Sequence, residues 1–163
     1  MKSLGLRIEG NKLEVLDQTL LPGREDWLTV STPEEMIALI QRLAVRGAPL
    51  IGVAAGFSLG LYAAAPGRSE AEIKAAAAAL RASRPTAVNL MHAIDRLMRV
   101  FGKRGAAALL PEAQAIFQED VALCESMAAR GAELVQNGDG IITHCNTGGL
   151  ATVGRGTRIG RLR

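Results

Sequence analysis

The sequence predicts an α+β protein: a small N-terminal antiparallel β element, a helical bundle after it, and then the first strand and turn of an unfinished α/β unit. Three observations carry this reading. Apolar and polar residues alternate in short runs only between residues 5 and 30. From Thr32 onward the apolar spacing becomes helical. Near the C-terminus, "GIITHCNTGG" (140–149) reads as a buried strand running into a glycine-rich turn. A strand–turn–helix start with no second strand is half of a nucleotide-fold unit. The expected division is a β/helical domain over 1–137 and the start of a second domain over 138–163.

Each element has a local reason. "LRIEG" (6–10) and "KLEVLD" (12–17) flank Gly10-Asn11, a pair suited to a two-residue hairpin. "WLTVS" (27–31) supplies a third strand. The first helix opens at "TPEE": Thr32 is the N-cap, Pro33 takes the first helical position, and Glu35 completes a capping box. Met36, Ile37, Ile40, Leu43 and Ala44 follow at helical spacing, and the helix is expected to end near Val45.

Residues 48–67 carry no charge. Roughly 20 apolar residues span a bilayer, but this run contains Pro49, Gly52, Gly56, Ser58 and Gly60, and no second such run follows. A membrane is therefore not expected as a partner. The evenly spaced glycines share one helix face and admit close approach of a neighbouring backbone, which predicts a central helix buried all round. Ser69 and Glu72 make a second capping box ahead of "IKAAAAALRAS". Residues 86–101 read as an amphipathic helix stopped by Gly102, and 111–135 as a longer one that begins at Pro111 and ends before Asn137-Gly138.

Composition removes several function classes. Apolar residues make up 48% of the 163-residue chain, so it is neither disordered nor a disulfide scaffold. Aromatics are only 3%, too few for the stacking platforms that bind single-stranded nucleic acid, and nucleic acid is not an expected partner. Cys124 and Cys145 belong to no CxxC or Cys/His cluster, which argues against structural zinc. The Met1 start shows no basic segment followed by an apolar run, so no signal peptide is expected, in keeping with a cytoplasmic protein and free thiols. The net charge of +3 comes from the tail: residues 151–163 hold four arginines, and the rest has 15 basic groups against 16 acidic. Such a tail reads as solvated, with polyanion binding as a weaker alternative. The opened β unit and the long apolar helices leave surface to cover, so a homodimer is expected.

Three stretches could carry chemistry. In "RGAP", Arg46 precedes Gly47-Ala48, and Pro49 opens a helix; in "RPT", Arg84 precedes Pro85 at the opening of another. Each sets a guanidinium beside backbone N–H groups at a helix N-terminus, an arrangement that favours an anion such as a sugar phosphate. Read otherwise, both arginines are solvated loop residues and both prolines helix starters. In "THCNTGG", Asn146, Gly148 and Gly149 suit a turn with unusual dihedrals, and Cys145 stands at the carboxyl end of the expected strand, where open α/β sheets place ligands. A helix N-terminus there would favour thiolate; a buried structural thiol fits the stretch equally well. His144 is an improbable base for Cys145, because strand neighbours point to opposite faces. Cys124 and His92 read as helix packing residues, and Asp17 as a turn residue or a polar contact.

Taken in order, "VLDQTLLP" (15–22), "VRGAPLIGVAAGFSLGL" (45–61), "SRPTAVNL" (83–90) and "ITHCNTGGLAT" (142–152) resemble the methylthioribose-1-phosphate isomerase family. The regulatory subunits of translation initiation factor two-B share that fold. The resemblance implies an aldose–ketose isomerase of methionine salvage that converts 5-methylthioribose 1-phosphate to 5-methylthioribulose 1-phosphate without metal or organic cofactor. It implies substrate contacts from Arg46, Gly47, Ala48 and Arg84 and a catalytic role for Cys145. It also implies a second half of about equal length that completes a Rossmann-like domain and supplies a catalytic aspartate. After "LATVG" the family continues as an apolar helix, whereas this chain reads "RGTRIGRLR". A truncated chain, inactive by itself, is the expectation. The alternative is a non-catalytic module, like the initiation-factor subunits, that binds partners or a sugar phosphate without converting it.

Overall fold

The computed structural model describes residues 1–136, 138–142, 144 and 146–154. Strands β1 (Leu6–Glu9), β2 (Lys12–Leu16) and β3 (Trp27–Val30) form an antiparallel sheet in that order. Leu6 pairs with Val15 and Glu9 with Lys12, so Gly10-Asn11 is the two-residue turn, with Gly10 at φ 56°. Leu13 pairs with Val30 and Leu16 with Trp27. Leu6, Ile8, Leu13, Val15 and Val30 are buried, the period-2 face the sequence predicts. On the outer face the Arg7 guanidinium stacks 3.5 Å from the Trp27 ring centre.

Helix α1 (Pro33–Gln41) has the predicted capping box: the Thr32 hydroxyl accepts from the Glu35 amide, and the Glu35 carboxylate accepts from the Thr32 amide. It ends before Val45. Leu43 turns into the left-handed region at φ 64°, and the amides of Ala44 and Val45 both donate to the Leu39 carbonyl. The chain reverses there, leaving Leu43 exposed and Ala44 buried.

Helix α2 (Ala48–Ala64) is the centre of the molecule, with twelve of its 17 residues buried. A Cβ on Gly52 would stand 2.8 Å from the Asn89 carbonyl oxygen, and one on Gly60 would stand 3.0 Å from the Leu110 Cα. Gly56 faces Leu97 and Ala113. The glycine face therefore admits the two helices that cover it, α4 (Val88–Arg104) and α5 (Leu109–Ala132). Phe57 meets Phe117 of α5 edge to face, with ring centres 6.2 Å apart. No helix among the described residues is long and apolar enough to cross a membrane.

Helix α3 (Glu70–Ala82) starts at the second capping box, Ser69 with Glu72. It is tied to α4 by a bidentate Arg81–Asp95 pair at 2.7 and 3.0 Å. Further expected boundaries move, among them the end of α5, at Ala132 rather than 135. Helix α4 begins at Val88 because Arg84–Ala87 forms a turn of its own, closed by the Ala87 amide on the Arg84 carbonyl. It runs past Gly102, which lies in open space, and stops at Gly105, whose φ of 73° ends the helical path. A 3₁₀ turn, Ala106–Ala108, leads straight into α5, so that helix starts two residues before Pro111. Proline is tolerated in a first turn, where its missing N–H has no helical acceptor.

The strand expected over 140–145 is not formed among its described residues, 140–142 and 144. Ile142 is 95% exposed. A strand needs a partner for its backbone groups, and the three-stranded sheet pairs with none of these residues. The helix expected after the glycine turn is likewise absent through Gly154, where the chain makes turns and bends. The second-domain reading of 138–163 thus stays an expectation, and residues 155–163, the arginine tail, lie outside the described residues.

The glycines of α2 and α4 predict opposite responses. Gly52→Ala places a methyl against the Asn89 backbone and should cost about 1–3 kcal/mol. Gly102→Ala fills open space in a helix and should gain about 0.5–1 kcal/mol. Urea midpoints of the two variants check this, and equal shifts of one sign would contradict the packing.

Candidate functional site

The site is built from the turn after β2. Asp17 and Gln18 are both buried, at 4% and 2% exposure. Buried polar groups require partners, and these have them. One Asp17 carboxylate oxygen accepts from the Thr19 amide at 3.0 Å and the Thr19 hydroxyl at 2.6 Å, and the other pairs with Arg42 at 2.7 Å. Burial pushes this carboxyl up, but the Thr19 and Arg42 contacts outweigh it and hold the group below the usual carboxylate range. Asp17 is thus both a turn residue and a polar contact.

Gln18 connects three segments. Its backbone amide donates to the Ala44 carbonyl at 3.0 Å, its side-chain oxygen accepts from Arg46 Nε at 3.4 Å, and its side-chain nitrogen donates to the Leu150 carbonyl at 2.9 Å. The last bond joins residues 132 apart in the chain. It draws the "RGAP" turn and the "NTGGLAT" loop together.

Their contact is close. Gly47 is the N-cap of α2 at φ 97°, and a Cβ there would lie 2.4 Å from the Ala151 Cα. The Leu50 amide donates to the Ala151 carbonyl at 3.1 Å. Pro49 has no N–H and Leu50 is taken, so among the described residues the free donors expected at this helix start reduce to the Gly47 and Ala48 amides, beside the half-buried Arg46. Gly148 takes φ 82°, as expected for the turn. Gly149 lies under the exposed Leu4 side chain, whose tip a Cβ would meet at 2.8 Å.

The far side of the loop rests on α5. Asp120 accepts from the Val153 amide at 2.9 Å and also from Gly154, and a Cβ on Gly154 would lie 2.7 Å from that of Cys124. Burial raises the Asp120 carboxyl above its ordinary range, and the two amides oppose that rise. A small cleft of about 170 Å³ opens beside this contact, lined by Gly52, Asn89, His92, Arg96 and Asp120 among others. Arg96 is held by Glu112 at 2.6 Å and by both oxygens of Glu119 at 2.5 and 2.8 Å.

The structure therefore gathers Arg46, Gly47 and Ala48 with the 146–154 loop. Arg84 is half-buried in the Arg84–Ala87 turn that leads into α4. The first turn of α4 touches α2 at Gly52, one turn into that helix, so both arginine turns stand at one end of the bundle. Arg84 does not stand at a helix N-terminus as expected, since Pro85 and Thr86 precede the helix. Cys145 lies outside the described residues, and His144 is exposed. His92 is exposed at the cleft rather than packed in a core; Cys124 is buried as expected. Sequence reasoning missed Gln18 and Asp120, and the "LDQT" position of Gln18 was the available signal for the first.

These features define an α+β helical domain in which two loops meet at the end of its central helix. The chain belongs to the Initiation factor 2 subunit family, whose model matches residues 44–157. It is similar to a methylthioribose-1-phosphate isomerase of Enterobacter, 45% identical over 98% of this chain and 47% of the relative. One from Yersinia enterocolitica is 46% identical over 99% of this chain and 47% of that protein. Among solved structures, 5-methylthioribose 1-phosphate isomerase from Pyrococcus horikoshii superposes with a TM-score of 0.85 at 34% identity, covering 96% of this chain and 47% of that one. Translation initiation factor eIF-2B subunit delta from A. fulgidus gives 0.74 at 33% identity, covering 95% and 48%. The chain spans about half the length of the curated relatives it matches.

Two variants test the loop junction. Gly47→Ala adds strain at positive φ and a clash with Ala151, so hydrogen-exchange protection of the Leu50 amide should fall at least about tenfold, roughly 1.4 kcal/mol. Asp17→Asn should cost about 1–3 kcal/mol at pH 7. Because the folded carboxyl is depressed, that stabilisation is present above the unfolded value near about 4 and is lost as pH falls through the folded one. The gap between wild type and variant in thermal melts should close on acidification, and a pH-independent gap would contradict the assignment.

Proposed function

We propose that this chain is the substrate-phosphate-binding half of an aldose–ketose isomerase acting on 5-methylthioribose 1-phosphate. Arg46, Gly47, Ala48 and Arg84 hold the sugar phosphate, and Cys145 is the acid–base thiol. The single observation that supports this most is the docking of the Gly47 turn onto the Ala151 backbone. It joins the two motifs that the isomerase relatives would need side by side.

The chemistry accounts for the residue types. A phosphate on C1 locks the sugar as a cyclic acetal, so no free aldehyde is available. Ring opening needs a proton on the ring oxygen, and a proton or hydride then moves from C2 to C1, with the C2 hydroxyl proton leaving as the ketone forms. The shift is internal, and a positioned acid–base group is the minimum the protein must provide. Arginine and the Ala48 amide at the start of α2 favour the phosphate as charge redistributes. The remaining acid–base group of this reading would come from sequence equivalent to the other half of the relatives, so the 163-residue chain by itself should bind without turnover. Cytoplasmic location and pairing of two copies belong to the same reading.

A second reading has its own support in the likeness to the initiation-factor subunit: a module that binds protein partners and no sugar phosphate. Saturating 5-methylthioribose 1-phosphate distinguishes the two, because a ligand of the native state raises stability by about 2.7 kcal/mol at a hundred times its Kd. The expected outcome is an upward melting shift that Arg46→Ala and Arg84→Ala each remove. No shift in the wild-type chain would favour the interaction module. Turnover by the chain would overturn its reading as a half-site, and turnover that survives Cys145→Ala would also remove the thiol from the mechanism.

A further inference from the structure

A second cavity, of about 550 Å³, lies toward the opposite end of α2, between that helix and strands β2 and β3. Its volume falls within the range of small-molecule sites, about 300–1,000 Å³. Part of the lining is apolar, from Leu13, Leu61 and Ala65, and no carboxylate lines it. The polar part includes Thr29, Ser31, Ser58, Tyr62 and Arg68, with Lys12 already paired to Glu14 at 2.7 Å.

Two of these groups are unusual. Ser58 is only 5% exposed, yet its hydroxyl has no hydrogen-bond partner among the described residues. Among the described residues the sealed side-chain atom without a partner is Arg7 Nε and not the Ser58 oxygen, so that oxygen keeps some open surface. The hydroxyl therefore has the cavity to bond to. A buried hydroxyl ordinarily finds a partner in the protein; one left facing a cavity is placed for a ligand.

Arg68 is the second. Its guanidinium carbon lies over the Tyr62 ring, 4.3 Å from the ring centre, a cation–π contact that draws this exposed side chain toward the cavity. Glu72 approaches it only to 3.7 Å, beyond hydrogen-bond reach. The other Glu72 oxygen is engaged by Ser69 at the α3 cap. No N–H of Arg68 has a hydrogen-bond acceptor among the described residues. A guanidinium at the cavity with open donors suits the paired oxygens of a carboxylate or phosphate.

We propose that this cavity binds a small organic anion, a phosphate monoester or carboxylate carried on an apolar body. Arg68 clamps the anion, the Ser58 and Tyr62 hydroxyls donate to it, and Leu13 and Leu61 cover the apolar part. The site is separate from the Gly47–Ala151 junction and does not depend on the isomerase reading.

Tyr62 is the single tyrosine of the chain, so 3-fluorotyrosine labelling gives one fluorine resonance at the cavity. The full 163-residue chain is titrated with phenyl phosphate, phenylacetate, inorganic phosphate and benzyl alcohol. A saturable shift with phenyl phosphate or phenylacetate is expected, and the stronger of the two identifies the anion. Inorganic phosphate should bind at least tenfold more weakly, and benzyl alcohol should give no saturable shift. Arg68→Gln should weaken the anion at least tenfold and Ser58→Ala several-fold, while Arg46→Ala leaves it unchanged. The proposal is overturned if neither aryl anion saturates, if benzyl alcohol binds as well as they do, or if both cavity variants bind like wild type.

Discussion

A helix without a single charge must be covered on every side, and that requirement organises this molecule. Helix α2 cannot face water over its length, and its neighbours α1, α3, α4 and α5 all pack on it. Coverage by bulky side chains alone would hold those neighbours at ordinary helix distance. Gly52 and Gly60 let the Asn89 and Leu110 backbones come into contact instead, which increases dispersion contacts in a core already dense with Leu, Ile and Phe. The same approach brings the first turn of α4 against α2, one turn into that helix. The position of the arginine turns is therefore a consequence of core packing.

Polar ties complete what packing begins. Asp17 anchors its turn to Arg42, Gln18 joins Arg46 to Leu150, and Asp120 holds the Val153 amide. All three are buried or half-buried, and each satisfies backbone groups that have no helix or strand partner. Loop 146–154 has no regular secondary structure, so these bonds and the glycine contacts are what define its path. Two of the ties run from opposite sides of the loop. Burial acts on Asp17 and Asp120 alike, but only Asp17 has a cation and a hydroxyl to reverse its effect.

The family contains both isomerases and an initiation-factor subunit, and the described residues resemble each at about one-third identity in the solved structures. One scaffold therefore serves relatives of different name. A close-packed helix end with a glycine junction is compatible with binding a phosphate, with holding a second segment, or with both.

The sequence by itself determined the strands, the two capping boxes and the buried central helix, because these follow from local hydrogen bonding and from the period of apolar residues. Thr32, Ser69 and the Gly10-Asn11 turn act within a few residues of themselves. Helix ends were less legible where two signals competed: Gly102 resembles a stop, but only Gly105 adopts positive φ. The strand over 140–145 was read from its apolar run, yet pairing is a property of two segments, and the sheet offers these residues none. Arg46 and Gly47 were legible as the turn that opens the central helix. That Gly47 must be glycine because Ala151 lies against it, that Gln18 bridges the two loops, and that Asp120 holds the second from below were decided only by tertiary structure. Each depends on a contact between residues distant in the chain, and no local pattern encodes a distance.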